Sequence, residues 1–193
     1  MIVFDSPSAS GSDPDDYLAT GLALRDAWRE HPLVSFCLAP HAPFTVSDAT
    51  FRKIAKIAGE VDVPLHIHLH ETADEIARSL AEHGVRPLER LRRLGLLGPG
   101  LIAVHAVHLT GDEIALLAKH GASVVHCPSS NLKLASGFAP VAQLAAAGIN
   151  ISLGTDGAAS NNRLDLFEEM RLAALLAKAV AGDAEAMPAH AAL

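Results

Sequence analysis

Short, almost wholly apolar runs punctuate this chain, and a segment with helical periodicity follows each of them. Leu65–Leu69, Leu101–His105, Ser123–His126 and Ile149–Leu153 are the clearest, and Val34–Ala39 and Ile2–Phe4 read the same way. Strands this short and this continuous in Val, Ile and Leu belong to parallel sheets buried on both faces, where the crossover helices supply the cover. The intervening segments fit that role. Helices are expected from Asp15 to about Glu30, and after the Ser47-Asp48 cap to about Glu60, with Phe51, Ile54, Ile57 and Ala58 on one face. Further helices are expected at Thr72–His83, Pro87 to about Leu94, Gly111–Lys119, Ala139–Ala147 and Arg163 to about Val180. Residues 6–15 are a loop by composition. The count is about six strand–helix units, the first incomplete.

Two architectures take such units: a closed eight-stranded barrel, or an open doubly wound sheet. A barrel needs about 250 residues, and the chain has 193. The polar residues decide between them. His41, His68 with Glu71, His105, His126 and Asp156 each fall at the C-terminal end of a successive strand. In a parallel barrel those ends form one rim on which residues of several strands converge. A doubly wound sheet recruits few strands and is expected to carry a Gly-rich phosphate turn, and no G-x-G-x-x-G occurs. The expected fold is therefore α/β: one domain over residues 1–193, an incomplete (β/α)8 TIM-type barrel.

Composition removes whole classes of function. A net charge of −7 argues against a nucleic-acid binder that neutralises phosphates. Stretches of about 20 residues free of charge and proline are absent, so no membrane span is expected. Two cysteines make no disulfide framework, which fits a reducing, cytoplasmic setting. Histidine is over-represented, with 11 against 8 Phe, Trp and Tyr together, and it is both the commonest metal ligand and an acid–base side chain. His66, His68 and His70 alternate and would share one side of a strand. His31, His83, His120 and His190 lie on helices or loops and read as background. A lone strand-end His is more often structural than a ligand, Asp156 alone would pass for a turn residue, and Cys127 reads as a packed thiol or a soft-metal ligand. The conjunction on consecutive strand ends is what points to chemistry.

Four stretches carry a recognisable pattern: His68–Thr72, His105–Leu109, Ser130–Gly137 and Leu153–Asn162. Together they resemble the amidohydrolase superfamily, and within it the branch of 5-methylthioadenosine/S-adenosylhomocysteine deaminases and triazine chlorohydrolases. The resemblance runs from about Leu38 to Lys178; that branch often has Cys where Ala106 stands and Asn where Cys127 stands.

The resemblance implies one divalent ion, zinc or iron, with His68 and Asp156 as ligands. It makes Glu71 a proton shuttle, His105 the residue that holds the attacking water or the developing oxyanion, and Asp156 a base as well as a ligand. His41, Glu71, Asp156 and Ser160 are the implied substrate contacts, with His66, His70, His108 and His126 as supports. The implied reaction is hydrolytic deamination of an adenosine-type nucleoside, with metal-bound hydroxide attacking the amino-bearing purine carbon. Chlorohydrolysis, guanine or cytosine deamination, and a non-catalytic remnant stay open, as does homo-oligomerisation. The family draws two further ligands from a His-x-His on its first strand, and no such pair precedes His41. The expectation is a piece of a larger enzyme, lacking the first strands and a small β-sandwich, that binds metal weakly in isolation.

Overall fold

The computed structural model describes residues 1–8 and 11–193. Among them six parallel strands follow one another in space as in sequence. They are β1 (Ile2–Val3), β2 (Ala39–Pro40), β3 (Leu65–Leu69), β4 (Leu101–His105), β5 (Ser123–His126) and β6 (Asn150–Leu153). β1 pairs with β2, and β3 to β6 form one ladder in chain order, with Leu65 opposite Leu101, Val104 opposite Val125 and Val125 opposite Ser152. A parallel bridge from Leu38 to Leu65 joins the two sets. The result is an arc of a parallel barrel that does not close: the outer edge of β6 meets no strand among the described residues.

Helices α1 (Pro14–Trp28), α2 (Asp48–Val61), α3 (Ala73–His83), α4 (Pro87–Arg93) and α5 (Gly111–Lys119) make the crossovers of the first half. α6 (Pro128–Lys133), α7 (Val141–Ala146), α8 (Leu166–Ala181) and α9 (Ala189–Ala192) follow. Local chemistry sets several of their ends. Ser47 accepts from the Thr50 N–H at the start of α2, and Thr110 and Glu113 complete a reciprocal capping box on α5. Gly84, at φ 70°, ends α3 in the left-handed conformation that glycine adopts without strain. No helix among the described residues is long and apolar enough to cross a membrane.

The core lies between the sheet and this helical layer. Leu65, Ile67, Leu69, Leu101, Ala103 and Val124 pack against Phe51, Ile54, Leu88, Leu91, Ile114, Leu117 and Leu144. Each large side chain buried there stabilises the fold by roughly 1.5–3 kcal/mol. The alternate residues of β3, His66 and His68, are only half-buried, so they occupy the opposite, concave face. A polar tie crosses the core as well. Arg90 of α4 is buried and donates to Asp48 at 2.8 Å and to the carbonyls of Val46 (3.0 Å) and Pro43, pinning the loop after β2.

Four details depart from the sequence expectation. Val34–Cys37 is irregular, and pairing begins only at Leu38, because the early part of that run stays partly exposed with no neighbouring strand to meet it. A short helix, α6, was not anticipated, and α8 begins at Leu166, three residues after the expected start. His70 does not share a face with His66 and His68. β3 ends at Leu69, and His70, at φ 56°, turns into the interior instead. There its Nε2 accepts from the Leu88 N–H at 3.0 Å, beside Arg86 and Glu113. Of the loop expected at 6–15, residues 9 and 10 lie outside the described residues.

Candidate active site

The C-terminal ends of β2, β3 and β4, with the segment after β6, gather His41, His68, Glu71, His105 and Asp156 on the concave side of the sheet. The imidazoles run in a row: the His41 and His68 ring centroids are 5.0 Å apart, and His68 and His105 stack at 5.4 Å. Glu71 Oε2 lies 3.7 Å from His105 Nε2, and Asp156 Oδ2 lies 4.0 Å from the same nitrogen. His126 is not in this group. It is buried and lines a small cavity with Val141, Leu176 and Ala177 of the helical layer.

Backbone turns aim these side chains. His105 and Asp156 have φ of 72° and 60°, so each leaves the strand's pleat at the point where its side chain is needed. Glu71 stands on a turn rather than on β3, which places it on the site although its spacing from His68 is odd. That turn is held by Glu75 of α3, whose carboxylate accepts from the N–H groups of His70 (2.9 Å) and Glu71 (2.8 Å). Burial pushes the Glu75 carboxyl up to about 7. His41 is seated against Phe4, with ring centroids 4.8 Å apart, and its Nδ1 meets Thr45 Oγ1 at 3.1 Å.

Each candidate ligand is also oriented from behind. His68 Nδ1 donates to the His41 carbonyl at 2.6 Å, and His105 Nδ1 donates to Asn131 Oδ1 at 2.8 Å, so Nε2 is the remaining nitrogen of both rings. Asp156 accepts from the hydroxyls of Ser130 (2.7 Å) and Ser160 (2.6 Å) and from the Gly157 N–H (2.7 Å). Burial works to raise the Asp156 carboxyl, but those hydrogen bonds and nearby His105 outweigh it and hold the group below its usual range. Burial depresses His105, against the pull of Glu71, and it also depresses His41, where neighbouring His68 adds to the effect. Burial thus favours the neutral form of His105 and His41, and neutral imidazole is the form that binds metal. Cys127 is buried, with its thiol pushed up to about 12 by burial, and behaves as a packed side chain.

The donors suit a divalent ion. One ligand atom from each of His68, His105 and Asp156 lies within 4.8 Å of the other two, giving two nitrogens and one carboxylate oxygen. That set matches the chemistry of zinc. His105 joins His68 and Asp156 here as a third candidate ligand. Thr45, Glu75, Ser130 and Asn131 went unassigned in the sequence. Only the Ser130–Gly137 motif gave any signal for them: the partners of Ser130 and Asn131 are 26 residues away, while Thr45 and Glu75 meet near neighbours through turns that composition does not specify.

The chain matches the amidohydrolase family over residues 3–193. It is 52% identical over 191 residues to a 5-methylthioadenosine/S-adenosylhomocysteine deaminase of Teredinibacter turnerae, covering 99% of this chain and 43% of that protein. A deaminase of the same name from Halobacterium salinarum is 52% identical over 182 residues, covering 94% of this chain and 42% of its own length. Among solved structures, an adenosine deaminase from Xanthomonas campestris with bound zinc superposes with a TM-score of 0.97 at 54% identity, over 99% of this chain and 44% of that one. An atrazine chlorohydrolase from Arthrobacter aurescens complexed with zinc superposes at 0.88 with 26% identity, over 97% and 42%. The chain therefore spans less than half the length of these relatives. By the extent of the family match and by fold, it belongs to the amidohydrolase family.

Proposed function

We propose that this chain carries the shuttle, the base and part of the metal site of an enzyme that hydrolytically deaminates an adenosine-type nucleoside of the 5-methylthioadenosine/S-adenosylhomocysteine class. The observation that carries the reading is Glu71 standing 3.7 Å from His105 Nε2, beside three potential ligand atoms within 4.8 Å of one another. The names of the relatives support the reaction type.

In this reading His68 and Asp156 hold one divalent ion, zinc foremost, with His105 in reach of it. When bound, the ion supplies a Lewis acid that brings the pKa of water toward about 7. Asp156, kept ionised by its three donors, takes a proton from the attacking water. Glu71 gives a proton to the purine ring nitrogen and then to the departing ammonia. His105 steadies the reacting oxygen, and His41, held by Thr45 and Phe4, contacts the substrate. Ser160 enters through Asp156, since its hydroxyl donates to that carboxylate. The product is the hypoxanthine-type nucleoside.

The test is ammonia release from 5-methylthioadenosine by the zinc-loaded protein that contains this chain. Glu71→Gln is expected to abolish turnover while zinc stays bound, because Glu71 is a shuttle and not a ligand. Near-normal turnover in that variant would refute the assignment. Chloride release from a chlorotriazine, with no ammonia from the nucleoside, would favour the chlorohydrolase reading instead.

A further inference from the structure

The two imidazoles of the candidate metal site are oriented by different kinds of acceptor. His68 Nδ1 donates to a backbone carbonyl, that of His41, which is fixed by the chain. His105 Nδ1 meets a side chain, Asn131 Oδ1, at 2.8 Å, and both residues are buried. An amide oxygen only accepts, so the hydrogen of that bond sits on Nδ1, and a neutral ring then has a bare lone pair on Nε2. Asn131 is itself well placed to hold this orientation. Its N–H donates to the Cys127 carbonyl at 3.0 Å, and its carbonyl accepts from the Ser136 N–H at 2.9 Å. The other end of its amide, Nδ2, is buried without a hydrogen-bond partner among the described residues. Asn131 lines a cavity of about one water's size together with His126, whose Nδ1 is likewise unpartnered.

We propose that Asn131 is a positioning residue for His105, holding its imidazole in the Nδ1–H form so that Nε2 faces Glu71 and Asp156 as a lone-pair acceptor. Of the two roles open to His105, that form suits holding the O–H of the nucleophile, or a metal, and not donating to an oxyanion. This catalytic consequence rests on the deaminase reading, but the tautomer itself does not.

The tautomer is read directly from two-bond proton–nitrogen correlations of the histidine rings in the 15N-labelled, metal-free chain at neutral pH. The expected spectrum shows His105 protonated at Nδ1 and bare at Nε2; the reverse pattern overturns the proposal, whatever the protein turns over. Asn131→Leu removes the acceptor and is expected to lose the Nδ1–H form of His105 while the His68 ring signals stay in place. Asn131→Asp keeps an oxygen at that point and is expected to retain it. Persistence of the Nδ1–H form in Asn131→Leu, or its loss in Asn131→Asp, overturns the proposal. If Asn131→Leu fails to fold, the wild-type spectrum and Asn131→Asp decide.

Discussion

Acid should unfold this chain in part through His126, a residue outside the candidate site. Its ring is buried among apolar neighbours, and that burial, aided by nearby His105, pushes it down to about 4, against about 6.5 in the unfolded chain. Between those two values the unfolded state takes up a proton that the folded state refuses. The folded pKa is the depressed one, so the contribution is fully present above about 6.5 and is lost as pH falls toward about 4. Integrating the uptake from pH 7 to pH 4.5 gives a loss of about 2 kcal/mol from this one group. That is a large share of the roughly 5–15 kcal/mol that stabilises a typical domain. His126→Leu puts an apolar side chain of similar size in its place and deletes the titration. Urea unfolding followed by circular dichroism at pH 7 and pH 4.5 measures both proteins. The variant is expected to lose about 2 kcal/mol less than wild type over that interval. Equal losses in the two proteins would show that His126 is not held neutral by burial, and the reasoning would fail.

The remaining expectations are shorter. Arg90→Lys keeps the charge but cannot span Asp48, Val46 and Pro43 together, so two charge-assisted hydrogen bonds go and stability falls by about 3 kcal/mol in the same urea assay. Thr110→Ala breaks the capping box of α5 and should cost about 1 kcal/mol, read as a lower thermal midpoint with an unchanged far-ultraviolet spectrum. Asp156→Asn should weaken zinc binding by more than about tenfold in a calorimetric titration, because it replaces the one anionic donor of the trio. Unchanged affinity would remove Asp156 from the ligand set.

Much of this was readable in advance wherever the signal was local. The runs at 65–69, 101–105 and 123–126 are strands because nothing but a doubly covered parallel sheet accommodates them, and chain order then sets their neighbours. The same logic put His41, His68, His105, His126 and Asp156 on one rim; the structure gathers all of these but His126, whose side chain packs against the helical layer. What stayed hidden depends on contacts remote in sequence or on single dihedral angles. Val34–Cys37 has the composition of a strand, but pairing needs a partner edge, and β1 and β3 provide one only from Leu38 to Pro40. His70 follows the strand's alternation in sequence and breaks it in space through a φ of 56°. Ser130 and Asn131, both on α6, are ordinary polar residues until a partner 26 residues away, Asp156 for one and His105 for the other, arrives by folding.

The left-handed backbone at His105 and Asp156 bears on any attempt to engineer this protein. Most residues with a β-carbon pay roughly 1–2 kcal/mol in that region; glycine escapes the penalty, and aspartate, asparagine and histidine bear it more easily than others. A library screened only for thermal survival would therefore find glycine the one substitution that relaxes the backbone at positions 105 and 156, where the proposed acid–base and ligand groups stand. Stabilised clones recovered that way would accumulate lesions in the site, so directed evolution of this scaffold needs both codons fixed, or a zinc-binding screen run alongside the heat challenge.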